Sequence, residues 1–150
     1  MQSAYNVLIQ RLPNGEDLPL PQKMSQGASG YDLYAANQQT VTIAPGERAL
    51  IPTGFALGMP HGLEAQIRPR SGLAFKYGIT TLNSPGTVDA DYRGEIKVLL
   101  INHGSDPFHV QRGERIAQMV FQHVPDVHLQ QSASLDDTIR GAGGFGHTGL

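Results

Sequence analysis

The sequence contains no cysteine, and it has no long uninterrupted apolar run. Without cysteine the chain has no disulfides, no thiol nucleophile and no thiolate metal ligands, which is typical of proteins in a reducing compartment. The N-terminal residues lack the basic start and apolar stretch of a secretory signal, and no segment has the length of a membrane span. We therefore expect a cytoplasmic protein that has no membrane partner.

An excess of charge of one sign is also missing, since 11 basic and 13 acidic residues nearly balance among the 150. Such a chain has no general attraction for a nucleic-acid backbone, so we expect no nucleic-acid partner. Any phosphate contact must be local and made by a few placed Arg and Lys side chains. The length predicts a single domain, residues 1–150, that can bury a core without covalent crosslinks.

Long amphipathic helices are absent from the pattern, whereas 18 Gly and 10 Pro are typical of many short strands joined by turns. Alternation and turn residues predict strands at 5–11, 40–43, 48–53, 55–58, 63–68, 96–101, 108–110 and 115–124. Regular short strands of this kind predict an all-β sandwich or barrel over residues 1–124. A linker at 125–139 and a glycine-rich arm at 140–150 follow it.

The stretch 81–95, which with the preceding threonine reads TTLNSPGTVDADYRGE, lies between two strand-like runs. Pro85 presets φ for a turn corner and Gly86 tolerates positive φ, so this pair predicts a tight hairpin. The free backbone N–H and C=O groups of such a turn can read a flat heterocycle, as a neighbouring strand does.

Within this hairpin the side chains are expected to alternate between two faces. Val88 and Ala90 should share one face, and Asp89 and Asp91 the other. A carboxylate and the ring of Tyr92 are then held on a short stiff element. The alternative is an ordinary acidic hairpin whose carboxylates are simply solvated.

The segment RPRSGLAFK, residues 68–76, predicts the one short helix, with Ser71 as its N-cap. Gly72 allows close approach to the first turn, and Arg68 and Arg70 stand beside it. Free N–H groups at a helix start together with two arginines form an anion site. A plain helix cap with solvated arginines is the alternative.

Asp32 is the only acid in an otherwise uncharged segment, ASGYDLYAA. A lone Asp near a Gly commonly makes an Asx turn. The functional alternative is that Asp32 anchors, directly or through water, a hard cation that arrives with a substrate phosphate.

The C-terminal segment, RGAGGFGHTGL, contains the glycine spacing of a dinucleotide fingerprint. No strand leads into it and only four residues follow, so no Rossmann helix can form and we reject that match. The remaining choices are a disordered tail or a mobile arm that orders over a ligand. A lone Phe145 between Arg140 and Thr148 favours the arm, because the ring can stack on a base while the two polar residues hold phosphate.

Five segments of the chain, in order, resemble the five motifs of the trimeric dUTPase family. They are 28–33 (ASGYDL), 70–74 (RSGLA), 83–95, 113–119 (GERIAQM) and 140–149. The resemblance implies a jelly-roll β domain and a homotrimer whose three active sites are shared between chains. It also implies Mg²⁺-assisted hydrolysis of dUTP to dUMP and pyrophosphate, which limits uracil incorporation into DNA and supplies dUMP for dTMP synthesis.

The resemblance assigns roles to individual residues. It makes Asp89 the carboxylate that activates the attacking water, and it places Tyr92 under the deoxyribose. The residues that it brings to the uracil are Asn83, Gly86, Thr87 and Val88. Those that face the phosphates are Arg70, Ser71, Gly72 and Gln118, and Lys97 lies close to the nucleotide.

The resemblance further implies that Asp32 belongs to the water shell of the metal. The residues of the closing arm are Arg140, Phe145, Gly146 and Thr148. Two positions depart from the family pattern, since Ser84 replaces the commoner Ala and His147 stands where Ser is frequent. His147 leaves the γ-phosphate contacts open.

Two other function classes remain open at this point. One is a nucleotide-sensing or partner-binding module that keeps the pocket and uses the open and closed states of the arm. The other is a dCTP deaminase-like enzyme on the same fold, although residues 83–95 resemble the hydrolase pattern better.

Overall fold

The chain folds into antiparallel β-sheets in a computed structural model that describes residues 4–149. Residues 1–3 and 150, which the predicted domain and arm include, lie outside the described residues. The strands are β1 (Leu8–Arg11), β2 (Tyr31–Tyr34), β3 (Val41–Ile43), β4 (Arg48–Gly58), β5 (Leu63–Arg68), β6 (Ile79–Thr81), β7 (Gly86–Val88), β8 (Glu95–Asn102), β9 (Phe108–Val110) and β10 (Arg115–His123). A 3-10 turn spans Pro13–Gly15, and α1 spans Ser71–Tyr77.

The strands form two four-stranded sheets and one pair. Sheet A has the order β1-β4-β8-β6, sheet B has the order β2-β10-β5-β7, and β3 pairs with β9. All of these pairings are antiparallel. The all-β class with one short α-helix, predicted from the sequence, is therefore confirmed for the described residues.

The core lies between the inner faces of the two large sheets. Alternate residues of each strand point inward, because side chains change face at every residue of a strand. On β8, for example, Ile96, Val98 and Leu100 are buried, and on β10 Ala117 and Met119 are buried. The outer faces are thus left to carry the polar and functional side chains.

The predicted hairpin around Pro85-Gly86 is wrong, because its two flanking strands do not pair. β6 pairs with β8 in sheet A, whereas β7 pairs with β5 in sheet B. Thr81 and Val88 are both buried, although they belong to different sheets. The turn therefore bridges the two layers at one edge of the molecule.

Gly54 was expected to separate two strands, and this expectation is wrong as well. β4 runs without interruption from Arg48 to Gly58, and its register against β8 shifts between Pro52 and Ala56. Gly54 has a φ of 75° at this irregularity. A single residue in the left-handed region bends a strand without ending it.

We expect Gly54→Ala to destabilise the fold clearly more than Gly46→Ala does. A left-handed non-glycine residue costs about 1–2 kcal/mol, and a Cβ at Gly54 also falls 2.5 Å from the Gly15 Cα. Gly46→Ala is the matched control, since its φ is 81° but nothing lies within 4 Å of its Cβ position. Equal losses in the free energy of unfolding, measured by denaturant titration, would show that the contact with Gly15 is unimportant.

Arg112 fastens the N-terminal loop to the end of β2. Its guanidinium donates to the carbonyl oxygens of Ala36 (2.9 Å) and Asn14 (2.7 Å) and forms an ion pair with Asp17. The hydrogen bond from Arg112 lowers the pKa of the Asp17 carboxyl below its ordinary value of 3.8. These contacts help to fix β2, the strand that carries Asp32.

Beyond β10 the described chain has no strand or helix. Residues 125–149 are almost entirely exposed, and the hydrogen bonds of 138–149 are local turns. Within residues 4–149, no helix combines the length and the apolarity needed to cross a membrane.

Candidate active site

A carboxylate lies between two arginines on the outer face of sheet B. Asp32 lies on β2, with one carboxylate oxygen 3.2 Å from Arg115 Nη1 and the other 3.8 Å from Arg70 Nε. Arg70 also donates to the Arg115 carbonyl oxygen at 3.0 Å. Because Asp32 sits in a regular strand and contacts these arginines, the Asx-turn alternative is wrong.

Gln118 completes this group, which we call the arginine cluster: Asp32, Arg70, Arg115 and Gln118. The central strand β10 places Gln118 opposite Asp32 on one side and opposite Arg68 on the other. Its amide nitrogen donates to the Pro69 carbonyl oxygen at 3.0 Å. The three sequence segments that contribute to the cluster are therefore brought together by ordinary strand pairing.

Gly30 makes room for the side chain of Gln118. A Cβ at Gly30 would collide with the amide oxygen of Gln118. A residue with a side chain at this position must push the amide away from the cluster. This explains why a glycine stands directly before the strand that carries Asp32.

The helix α1 begins differently from the prediction. Arg70 is the N-cap residue, in an extended conformation with no side-chain capping bond, and Ser71 is the first helical residue. The prediction that Ser71 caps the helix is therefore wrong. Ser71 and Gly72 are nevertheless exposed beside Arg70, and Leu73 packs on the core and fixes the helix in place.

A second set of predicted site residues lies on the segment 83–92, which we call the Asp89 segment. The exposed Asn83 side chain lies close to the turn, since its amide nitrogen stands 3.2 Å from the position of a Cβ on Gly86. Thr87 is exposed and Val88 is buried in the β7 pairing with β5. A Cβ at position 86 would be crowded by Asn83 and Ile67, so glycine fits this position without displacing them.

Asp89 follows directly after β7 and is exposed. Strand structure ends at Val88, and a turn forms in which the Tyr92 N–H donates to the Asp89 carbonyl oxygen at 3.1 Å. Ala90 packs against the core, as the predicted alternation requires, and Asp91 lies in the turn. The Asp89 carboxylate is thus free to face a ligand.

Tyr92 folds back over its own turn. Its hydroxyl donates to the Glu95 carbonyl oxygen at 3.0 Å, and its ring covers Gly94, where a Cβ would collide with it. One face of the ring stays open to solvent, since the side chain is 46% exposed. The ring is therefore held rigidly enough to serve as a platform.

Lys97 lies on the outer face of sheet A, opposite Pro52 on β4. It is exposed. The chain that leads into the Asp89 segment runs beside the same strand, because the Leu82 N–H donates to the Leu99 carbonyl oxygen at 3.0 Å.

Within a single copy of the chain, the Asp89 segment and the arginine cluster lie apart. β7 runs antiparallel to β5, so Asp89 lies beside Glu64, at the start of β5. The cluster lies past the other end, and Arg68 alone is four residues beyond Glu64, about 13 Å at 3.3 Å per residue. The structure therefore contains two separate halves of the predicted site.

The predicted arm residues make no described contact with either half. Arg140 Nε donates to the Gly143 carbonyl oxygen at 2.9 Å, and the His147 ring covers Gly143. Phe145 is fully exposed and has a φ of 52°. The residues that line one shared concave surface are Ile139, Arg140, Gly144, Phe145, Gly146, His147 and Thr148.

The arginine cluster suits a magnesium ion that is coordinated mainly by water and substrate phosphates and less by protein side chains. Within residues 4–149, no three His, Asp or Glu side chains meet to form a protein-only cage. Asp32 is the one carboxylate at the cluster, and both of its oxygens face arginines. Mg²⁺ keeps several waters and commonly binds one or two carboxylates plus substrate phosphates, so contact with Asp32 through water suits this donor set.

Arg115 is a cluster residue to which sequence reasoning gave no role. The bulge in β10 between Arg115 and Ala117 lies where the Arg115 side chain reaches Asp32. Such an irregularity leaves no clear trace in the period of the sequence. Arg68 was named beside the helix, but its partners on β5 were missed, although the alternation of Glu64, Gln66 and Arg68 signals a polar strand face.

Two packed antiparallel sheets, an arginine-bound carboxylate and an exposed glycine-rich segment define an all-β protein with a polar cluster on the outer face of one sheet. The dUTPase family model matches residues 16–149. The chain therefore belongs to the dUTPase family, which confirms the resemblance found in the sequence and the enzyme class.

Named relatives agree with this membership. The chain is 60% identical over 142 residues to the deoxyuridine 5'-triphosphate nucleotidohydrolase of Rhizobium rhizogenes, covering 93% of this chain and 91% of that protein. It is 59% identical, with the same coverage, to the protein of that name from Rhizobium leguminosarum.

Solved structures share the fold. A dUTPase mutant of Staphylococcus bacteriophage 80alpha with dUpNHpp matches with a TM-score of 0.86 at 23% identity, covering 97% of this chain and 99% of that one. A mutant dUTPase from phage phi11 of S. aureus, described with a structural Mg(II) ion, matches with a TM-score of 0.77 at 21% identity, covering 86% and 97%. The predicted jelly-roll fold is confirmed by these matches.

Proposed function

We propose that the protein hydrolyses dUTP to dUMP and pyrophosphate. The observation that carries the proposal is the pair of half-sites in a chain of the dUTPase family: an arginine cluster suited to phosphates, and a turn suited to a base beside a free carboxylate. Neither half suffices for the reaction alone. In the cell this activity would limit uracil incorporation into DNA and supply dUMP for dTMP synthesis, and a cytoplasmic location stays a prediction.

The turn of the Asp89 segment supplies base selectivity. Uracil offers an N3–H donor beside an O4 acceptor, and cytosine offers the reverse, so a fixed backbone pattern at Gly86, Thr87 and Val88 leaves buried groups unpaired with cytosine. The Asn83 side chain, which lies close to Gly86, is assigned to the same base. Thymine is excluded sterically, because a tight turn has no space for its additional methyl group.

Tyr92 discriminates the sugar in this proposal. Its ring is fixed by the hydrogen bond to Glu95 and by its contact with Gly94. A deoxyribose can lie flat on such a platform, whereas a 2′-hydroxyl would clash with it. Lys97 is assigned to the same nucleotide from the neighbouring sheet.

Asp89 acts as the general base for the attacking water. Its exposed carboxylate accepts the proton while the water oxygen attacks the α-phosphorus in line with the leaving pyrophosphate. Arg70 and Gln118, with the Ser71 hydroxyl and the Gly72 backbone, bind the phosphates and stabilise the charge that develops on them. Mg²⁺, when bound, would supply charge neutralisation at the phosphate oxygens, and Asp32 would hold it through its water shell.

The site is completed by a homotrimer, because the two half-sites must come from different copies. An exposed apolar patch on the outer face of sheet A offers a surface for this contact. Leu50 stands directly opposite Leu99 in the β4–β8 register and is 56% exposed, and Leu82 beside them is 44% exposed. A contiguous apolar patch of this kind commonly marks an interface between proteins.

We expect Leu50→Asp to dissociate the trimer and to abolish dUTP turnover together. The change removes about 2 kcal/mol of apolar burial at each contact and places a charge there. Leu8→Asp on the edge strand β1 is the matched control, since Leu8 is 74% exposed and lies away from the patch. Sedimentation velocity measures the assembly. A Leu50→Asp variant that still sediments as a trimer would show that this face is not part of the interface.

The C-terminal arm, residues 140–150, is proposed to close over the bound nucleotide. Phe145 stacks on the base, while Arg140, Thr148 and the Gly146 backbone hold the triphosphate. Residues 125–139 act as the linker that lets the arm reach a site beyond its own β core, residues 1–124. Closure also excludes bulk water from the phosphates.

Pyrophosphate release tests the proposed function. The full chain is given dUTP, dTTP, dCTP and UTP, each with and without Mg²⁺, and the expected result is rapid Mg²⁺-dependent release from dUTP alone. Tight dUTP binding without release would favour the nucleotide-sensing alternative. Ammonia release from dCTP would favour the deaminase alternative.

A further inference from the structure

A ladder of polar side chains runs along the outer face of β5. Gln66 Nε2 donates to Glu64 Oε1 at 2.7 Å. Gln66 Oε1 in turn accepts two bonds from Arg68, from Nε at 3.1 Å and from Nη2 at 2.6 Å. The Gln66 amide thus holds the Arg68 guanidinium by two of its nitrogens and is itself fixed by Glu64.

Arg68 belongs to the same cross-strand row as two members of the arginine cluster. The register places Gln118 opposite Arg68 on one side and opposite Asp32 on the other. Directly opposed residues of antiparallel strands have Cβ atoms about 4.5–5.5 Å apart. Arg68 therefore stands beside the cluster and on the same face of sheet B.

The charge balance of this row singles out Arg68. Arg70 and Arg115 both contact the Asp32 carboxylate. Within the described part of the chain, no carboxylate oxygen lies within 4.0 Å of the Arg68 guanidinium, and its hydrogen-bond partner is a neutral amide. Arg70 and Arg115 thus share the Asp32 carboxylate, whereas the charge of Arg68 is oriented by an amide and not neutralised.

We propose that Arg68 is a further binding residue for the β- and γ-phosphates of the nucleotide, and that Gln66 positions it. The inference rests on the proposed function, since it concerns the same triphosphate. An arginine held through Nε and one Nη keeps donors on the outer edge of its guanidinium for phosphate oxygens. The Glu64 carboxylate accepts a hydrogen bond from the Gln66 amide and so fixes its orientation. Because Gln66 lies between Glu64 and Arg68, the Glu64 carboxylate does not neutralise the Arg68 guanidinium.

The test compares a triphosphate with a monophosphate. Binding of dUpNHpp and of dUMP is measured by calorimetry for wild type, Arg68→Gln and Arg48→Gln. A lost charge-assisted contact weakens dUpNHpp by about 10- to 100-fold, while dUMP binding is unchanged because dUMP lacks the outer phosphates. Arg48, exposed at the start of β4 in the other sheet, controls for the loss of one positive charge.

Gln66→Glu separates phosphate binding from a structural role. The variant also carries Glu64→Gln, because a carboxylate at position 66 would otherwise face the Glu64 carboxylate, which the Gln66 amide now contacts at 2.7 Å. In this double variant the carboxylate at position 66 holds Arg68 at least as firmly, so thermal stability is kept, but it neutralises the guanidinium and should weaken dUpNHpp nearly as much as Arg68→Gln does. A purely structural ladder predicts the opposite, namely unchanged dUpNHpp binding. Gln66→Met removes the positioning contact and should raise KM for dUTP with little change in kcat.

Each outcome is decisive for Arg68. Unchanged dUpNHpp binding by Arg68→Gln overturns the inference, and so does an equal loss of dUpNHpp and dUMP with a lowered melting temperature. If wild type binds neither ligand, the proposed function fails instead, which is a distinguishable result.

Discussion

Asp89→Asn is expected to lower kcat for dUTP by about 10²- to 10⁴-fold, the usual contribution of a positioned general base. The amide keeps the size and hydrogen-bonding reach of the carboxylate but cannot accept the proton of the attacking water. Asp89 lies outside the strand pairing, so the fold and the binding of dUpNHpp should be retained. Steady-state pyrophosphate release measures the loss.

Asp91→Asn is the matched control for this substitution. Asp91 is two residues away in the same turn and loses the same charge. Its kcat should stay within about threefold of wild type, a difference below about 1 kcal/mol in barrier. Equal losses in both variants, or near-full turnover by Asp89→Asn, would contradict the assignment of Asp89 as the base.

Truncation after Ile139 is expected to abolish most turnover without unfolding the protein. The removed residues carry Arg140, Phe145 and Thr148, and loss of even one donor to developing charge costs about 10²- to 10³-fold in kcat. The β core should keep its melting temperature, because arm residues 140–149 make only local hydrogen bonds in one chain and the Phe145 side chain is fully exposed.

Phe145→Ala refines the truncation experiment. If the ring stacks on the base, this variant should weaken dUpNHpp binding by about 1–3 kcal/mol, the usual worth of a base–aromatic stack. Phe75→Ala, which removes another exposed ring from α1, should leave binding unchanged. Full turnover by the truncated chain would exclude a catalytic arm.

The fold class follows from local rules in the sequence, whereas the assembly of the arginine cluster depends on strand pairing. Strand alternation and turn residues indicated a layered β protein, and the pairing of β2, β10 and β5 then gathered Asp32, Gln118 and Arg70. Predicted strand positions held on β5, where polar and apolar residues alternate, and on β8, which has apolar residues on both faces. These features depend on short-range periodicity, which a single sequence displays directly.

Errors arose where long-range packing decided the local structure. Pro85-Gly86 has the chemistry of a hairpin turn, but β8 and β5 offer better partners to the two flanking strands than these offer to each other. Gly54 resembles a strand break, yet the register shift between Pro52 and Ala56 shows an irregularity inside one continuous strand. Turn chemistry reports where a chain bends and does not report which strands it joins.

The hydrophobic periodicity of the sequence also could not show that the predicted site is split into two separate halves within one chain. Asp89 and Arg70 are near one another in sequence, and only the antiparallel register of β5 and β7 shows that they lie at opposite ends of a strand. The step from two half-sites to a shared site therefore rests on structure and on family membership together. It is the central claim of the proposed mechanism.

Subunit complementation tests that claim most directly. Asp89→Asn chains and Arg70→Gln chains, each inactive alone, are unfolded together in equal amounts and refolded into mixed assemblies. If each site takes Asp89 from one copy and Arg70 from another, random trimers regain about one quarter of wild-type activity, since each required donor is intact with a probability of about one half. No recovery, with mixed trimers confirmed by mass, would place both residues in one chain's site and contradict the account.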